Sequence, residues 1–190
     1  GMDMEFTYFQ DLKEQRGKTS YTVSDNENKS FVFGKLNNFF QLRVGYGLTR
    51  IINTKPYWEG MSTGYFLYGG ASLGFSVPVY LKIIRIIDTA HYEIFSERYD
   101  PSIHDLSNIH GGASFSEGLS KITLHPGIYM KTGFSFDFSS DDANILALDF
   151  GVALDAYYPP VKIMAFTADK YLFITGFLTF HFGKRLTNYE

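Results

Sequence analysis

The stretch Phe39-Phe-Gln-Leu-Arg-Val-Gly-Tyr-Gly-Leu-Thr-Arg-Ile-Ile52 decides the fold. From Phe40 on, every second residue is large and apolar: Phe40, Leu42, Val44, Tyr46 and Leu48. Between them stand Gln41, Arg43, Gly45, Gly47 and Thr49. A period of two puts these two sets on opposite faces of an extended strand, whereas a helix would group residues three and four apart. The run is also long. An ordinary strand has about 5–6 residues, and a tilted strand needs about 9–11 to cross a bilayer.

Three further runs repeat the pattern. From Ile128 to Phe138, Ile128, Met130, Thr132, Phe134, Phe136 and Phe138 alternate with Tyr129, Lys131, Gly133, Ser135 and Asp137. From Ile145 to Asp155, Leu146, Leu148, Phe150, Val152 and Leu154 stand opposite Ala147, Asp149, Gly151, Ala153 and Asp155. From Tyr171 to Phe182, Leu172, Ile174, Gly176, Leu178, Phe180 and Phe182 stand opposite Tyr171, Phe173, Thr175, Phe177, Thr179 and His181. Thr63 to Ser76, Val79 to Ile87, Met4 to Tyr8 and Ser30 to Leu36 complete a set of eight segments with strand character. The division between Ser76 and Val79 rests on Pro78, because proline removes a ladder donor. Read as one bent strand, that segment brings the tally to seven, with a further strand expected ahead of the chain.

The connections point the same way. They run long (11–28), tight (Asn37-Asn38), medium (53–62), short (Ser76 to Pro78), very long (88–118), short (139–143) and medium (157–169). Short turns on one side and longer loops on the other are the habit of outer-membrane barrels. The expected architecture is therefore all-β: one antiparallel up-and-down barrel of eight strands over residues 1–190, with both termini in the periplasm.

Composition agrees. The chain has 19 Phe, 14 Tyr and 18 Gly, and 45% of its residues are hydrophobic against 19% charged, which excludes a disordered chain. A net charge of -3 leaves no basic footprint for nucleic acid. The absence of cysteine excludes disulfides and thiolate chemistry. The longest apolar run, Val77 to Ile87, is interrupted by Lys82 and Arg85, so no segment reads as a membrane-spanning helix.

In a membrane barrel the continuous apolar face is outside and the mixed polar face inside. That reading puts Glu5, Gln41, Arg43, Lys82, Lys131, Asp137, Asp149, Asp155, Thr175, Thr179 and His181 in the lumen. An eight-stranded lumen is just wide enough for side chains to fill, so Arg43, Lys131, Asp137, Asp149, Asp155 and His181 are expected to form a packed polar network and not an ion path. A soluble barrel holding an apolar ligand would turn the same alternation inside out.

The segments Phe31-Val-Phe-Gly-Lys-Leu-Asn-Asn-Phe-Phe40, Leu42-Arg-Val-Gly-Tyr-Gly47, Gly69-Gly-Ala-Ser-Leu-Gly74, His125-Pro-Gly-Ile-Tyr129, Leu148-Asp-Phe-Gly-Val152 and Phe180-His-Phe-Gly-Lys-Arg185 carry a resemblance. Through them the chain resembles an uncharacterised family of outer-membrane β-barrel proteins from Bacteroidetes. The resemblance covers most of the chain from residue 29 onward. It implies a bacterial outer-membrane location, the lipid bilayer and the barrel-assembly machinery as partners, and a signal peptide and one or two strands ahead of Met4. It brings no activity to transfer. Alternating aromatics at Phe180 and Phe182 match the terminal strands of such barrels, although the chain continues from Leu186 to Glu190.

No catalytic constellation and no cofactor motif emerges. His104 and His110, with Asp100, Asp105 and Asn108 nearby, are loop binding candidates whose spacing matches no metal motif. Tyr157 and Tyr158 would flank a loop at the outer rim, as would Tyr57-Trp58, where aromatic belts form. Asp141-Asp142 reads as a solvated turn. His181 with Ser120 or Ser135 is the one pair that could serve a lipid-modifying enzyme, and only geometry can decide it. The leading expectation is a non-enzymatic outer-membrane protein acting through its external loops, ahead of a lipid-modifying enzyme and a soluble lipocalin-like barrel.

Overall fold

A computed structural model describes residues 1–11, 13–14, 16–17, 30–54, 60–88, 91–104, 108–139 and 144–184. The elements are β1 (Met2–Phe9), β2 (Arg16–Gly17), β3 (Phe31–Val32), β4 (Asn37–Asn53), β5 (Ser62–Pro78), β6 (Tyr80–Asp88), β7 (His91–Arg98), β8 (Ile109–Gly112), α1 (Phe115–Gly118) with a 3-10 turn (Leu119–Lys121), β9 (Thr123–Asp137), β10 (Asn144–Val161) and β11 (Lys170–Lys184). The expectations at Tyr57-Trp58, Asp105, Asp141-Asp142 and 185–190 lie outside the described residues.

Six long strands form one antiparallel sheet in the order β1-β4-β5-β9-β10-β11. This is a half-barrel, and every strand lies next to its predecessor among the six. The sheet curls so far that inward side chains of β4 and β10, three steps apart, touch directly through Arg43 and Asp155. Five steps of about 4.8 Å separate β1 from β11 along the sheet. Yet Phe9 and Phe173 meet with ring centroids 4.8 Å apart, and Lys170 Nζ donates to Asp11 at 2.6 Å. The two edge strands thus approach at one end, running antiparallel to each other.

Small residues on the concave face make the curl possible. Gly133 and Gly151 are register partners. A Cβ on Gly133 would stand 2.7 Å from the Phe66 ring and 2.9 Å from Gly151 Cα, so the aromatic rings of the interior pack directly on backbone.

Several expectations need correction. Asn37-Asn38 is no turn but the start of β4, paired with Pro78 and Val77. Its amide is satisfied instead by the 162–169 connection, because Asn37 Nδ2 donates to Lys162 O at 2.7 Å. Ser30–Leu36 contributes no barrel strand: Phe31–Val32 makes a two-residue ladder with Arg16–Gly17, and Lys35 bridges to Met164. Pro78 does end a strand, but β6 then leaves the main sheet. It joins a separate sheet of order β7-β6-β8, so Lys82 is not in the lumen. Six of the eight expected segments therefore build the half-barrel. Residues 88–118 are no single loop, since they hold β7, β8 and α1. Finally, β10 runs to Val161, with Pro159 and Pro160 inside a register shift between Ala156 and Val161 where no ladder donor is required. The loop expected at 157–169 shrinks to 162–169.

Connections 54–61 and 138–143 lie at one end of the half-barrel, and 10–36, 79–122 and 162–169 at the other. The second end is capped by apolar clusters. Phe39, Tyr157, Val161, Ile163, Met164 and Phe173 pack inside the curl. Phe31, Leu81, Ile83, Tyr99 and Ile109 pack beneath the small sheet.

At that end Asp11 is buried, which by itself would raise its pKa. The Lys170 ammonium and the Lys13 backbone N–H outweigh burial and hold it below the ordinary carboxylate range. A depressed carboxylate stabilises the fold above its unfolded pKa of about 3.9 and loses that contribution as pH falls through the folded value. Asp11→Asn should therefore remove one acid-sensitive component of unfolding below about pH 4. A denaturant titration at stepped pH would read this, and an unchanged acid limb would refute it.

Candidate functional site

The concave face carries the chain's densest chemistry. Arg43 on β4 grips Asp155 on β10 with both arms of its guanidinium: Nε to Oδ1 at 2.8 Å and Nη2 to Oδ2 at 2.5 Å. Both side chains are sealed from solvent, at 2% and 0% exposure. Nη1 of Arg43 also lies 3.3 Å from Glu5 Oε2 on β1. Lys131 on β9 reaches Glu5 at 3.3 Å and Asp3 at 3.6 Å, and the Tyr129 hydroxyl donates to Asp3 at 3.0 Å. The Ser72 hydroxyl sits between Asp155 (3.2 Å) and Tyr157 (2.5 Å), and the Tyr157 hydroxyl donates to Gln41 Oε1 at 2.8 Å. Four strands thus contribute charge, with Asp3, Glu5 and Asp155 answering Arg43 and Lys131. Burial of such groups is tolerated only with this kind of pairing.

Arg43, Lys131 and Asp155 of the expected network are brought together here. Asp137 lies on the same strand face as Lys131 but at the far rim, where Oδ1 accepts from Ser139 N and Oγ. Asp149 and His181 form a separate pair, Oδ2 to Nε2 at 2.9 Å, near the end where the short connections lie. Between them and the central network a cavity of about 230 Å³ opens, lined by Asp3, Tyr68, Lys131, Ser135, Phe177 and Thr179 among others. The Lys131 ammonium lies 4.8 Å from the Phe177 ring centroid at its wall.

The geometry does not set His181 against either expected serine. Asp149 is the register partner of both Ser135 and Thr179, so the carboxylate stands between Ser135 and the imidazole of His181. A triad needs the imidazole in the middle. Ser120 lies at the opposite end, donating to Glu117 O.

Tyr157 corrects the loop reading. It is buried at 3% exposure on β10, two residues after Asp155 and on the same face, and belongs to the interior network. Its parity was in the sequence, but the two prolines that follow masked it. Tyr158 points the other way and is exposed. Ser72 and Tyr129 were also missed as network members, because a hydroxyl on a small-residue face carries no charge signal. His125 sits in register on β9, donating from Nδ1 to Pro159 O and bonding Ser76 Oγ through Nε2.

The other loop candidates stay apart from the lumen. His104 is buried, takes the Asp100 backbone N–H on Nδ1 and lies 3.4 Å from Glu97. The Asp100 carboxylate accepts from the Ser102 hydroxyl and backbone N–H, which hold its pKa below the usual range. These are the bonds of a folded turn. His110 is buried on β8. Among the described residues no group of three His, Asp or Glu side chains could hold a metal ion, and no helix is long and apolar enough to cross a membrane, which says nothing of a β-barrel.

Compared with known proteins, the chain matches no protein-family model, no curated protein and no solved structure.

The Arg43–Asp155 pair generates a direct prediction. Asp155→Ala leaves a buried guanidinium short of its partner and should cost about 3–5 kcal/mol, whereas the double variant R43M/D155L should recover most of that loss. Unfolding midpoints of the single and double variants would measure it. A D155A cost below about 1 kcal/mol, in the range of an exposed pair, would contradict a sealed interior.

Proposed function

We propose that the protein is a non-enzymatic outer-membrane β-barrel whose convex face meets lipid and whose longer connections face outward to bind a ligand or brace the envelope. One observation carries this reading: the faces are inverted relative to a protein stable in water. The convex face exposes Met4, Phe6, Tyr46, Leu48, Ile128, Phe150, Ile174, Leu178 and Phe182, with Thr132 and Gly176 among the few non-apolar positions and Phe182 85% exposed, while the concave face buries the Arg43–Asp155 pair. A monomer in water rarely shows so wide an apolar surface. Hydrocarbon satisfies it at no cost.

The arrangement of connections supports the same orientation, with 54–61 and 138–143 on the periplasmic side. Phe180 and Phe182 on β11 support delivery by the barrel-assembly machinery. The Bacteroidetes outer-membrane family belongs to the same proposal. The lipocalin-like alternative called for a hollow apolar interior, whereas the middle of this one carries the Arg43–Asp155 and Lys131–Glu5 ion pairs and its cavity is lined mostly by charged and hydroxyl side chains. The lipid-modifying alternative called for a serine and a histidine meeting near the rim. Asp149 stands between Ser135 and His181, and the pair that does meet, Ser76 and His125 at 3.0 Å, is buried, with its imidazole held by the Pro159 carbonyl and not by a carboxylate.

Refolding in detergent tests the reading. The unboiled protein should migrate faster than the boiled one on a gel, and the detergent-free preparation should aggregate. A monodisperse monomer in plain buffer would sink it.

Closure into eight strands is part of the proposal. In hydrocarbon no sheet edge stays unpaired. Since β1 and β11 are antiparallel, a pair of further strands between them completes the ring. For the 190-residue chain in detergent, alternate amides along the outer edge of β11 should exchange rapidly with deuterium. Uniform protection along β11 would mean that β1 and β11 close directly into six strands, against this proposal.

A further inference from the structure

One part of the convex face is built differently from the rest. Where β4 and β5 reach the end with the long connections, the chain returning from the small sheet lays α1 and its 3-10 turn beside the outside of the main sheet. Together they enclose a groove of about 290 Å³ lined by Phe6, Phe40, Phe75, Phe115, Leu119 and Ile122. Phe40 is the hinge of the wall, with ring centroids 6.0 Å from Phe6 and 5.8 Å from Phe115. The helix comes this close because of Gly118. A Cβ there would run into the Pro78 carbonyl oxygen and stand 2.9 Å from Val77 Cγ1.

On the far side of Phe115 a second, polar pocket of about 280 Å³ opens, reached through Tyr8, whose ring lies 5.0 Å from that of Phe40. Its floor holds Lys35, whose ammonium is 2.7 Å from both Glu14 and the Tyr8 hydroxyl. Arg16 lines the same pocket, is exposed, and makes no ion pair among the described residues. Among the described lining residues, two cations stand against one carboxylate, a net positive charge.

We propose that groove and pocket together hold one membrane lipid, its acyl chain along Phe40, Phe115 and Leu119 and its anionic headgroup at Arg16. The proposal rests on the membrane reading above and adds a specific lipid site to it. The groove walls are wholly apolar, so a peptide there would leave its backbone N–H and C=O groups unsatisfied. A hydrocarbon chain has no such groups. The groove is continuous with the proposed lipid-facing surface through Phe6 and Phe75. The Arg16 guanidinium in the adjoining pocket, without an ion pair among the described residues, supplies the charge complement of a phosphate-bearing headgroup.

The test is photolabelling of the refolded chain in phosphatidylcholine vesicles doped with phosphatidylglycerol whose acyl chain carries a diazirine, with adducts mapped by mass spectrometry. Labelling at Phe40 and 115–122 should exceed that on the open β10 positions Leu146 and Phe150 several-fold. Gly118→Val, which lifts the helix off Pro78, should abolish the excess while the variant keeps its heat-modifiable gel shift. Arg16→Glu should lower the excess for the phosphatidylglycerol probe and leave a phosphatidylcholine probe unchanged. Labelling spread evenly over the convex face would overturn the lipid site and leave the membrane reading intact. An absence of labelling from the whole convex face would overturn both. An Arg16→Glu variant labelled like the parent by both probes would overturn the headgroup assignment.

Discussion

The bidentate pair between Arg43 and Asp155 is the constraint around which the half-barrel is organised. A guanidinium and a carboxylate this deeply buried are stable only together, since losing either partner strands the other in a low-dielectric interior. To meet across two intervening strands, the sheet has to curl. The curl puts at the neighbouring concave positions either partners, such as Ser72, Tyr157 or Glu5, or glycines, such as Gly133 and Gly151, on which the Phe66 and Phe177 rings pack. The two features first seen in composition, many aromatics and many glycines, are two sides of that packing. Large rings from some strands fill the space left by glycines on others.

Sealing charge inside also fixes what the outside must be. With the polar residues turned inward, alternation leaves the convex side apolar along the length of the sheet, broken by the groove beneath α1. The Arg43–Asp155 and Lys131–Glu5 charges answer one another in the interior, and the exterior is mostly apolar. That division suits hydrocarbon outside and a filled lumen inside. Cavities lie toward the rims: one beside the His181–Asp149 pair at one end, and the polar pocket with its adjoining apolar groove at the other.

Much of this was legible beforehand. Long period-two runs in β4, β9, β10 and β11 gave the correct strands and correctly sorted Arg43, Lys131 and Asp155 onto one face. Legibility failed where a local signal had two physical outcomes. Pro78 ends a strand whether the chain turns back into the same sheet or departs into another, and here β6 departed. Asn37-Asn38 suits a turn, but its amide found the Lys162 carbonyl instead. Pro159-Pro160 suggested a loop, yet the bulge after Ala156 absorbs both, and Tyr157 before them is buried. His104 and Asp100 carry ligand chemistry that is spent on closing their own turn.

The sequence by itself determined which residues share a face, because side-chain parity along a strand is a local property of the backbone. It also determined that no helix would form over the long runs. Only the tertiary structure decided which face is concave, which of the eight candidate segments share a sheet, and which charges meet. Those depend on the sign of the sheet's curvature and on contacts between residues as far apart as Asp3 and Tyr129 or Gln41 and Tyr157. No periodicity within a single strand contains that information.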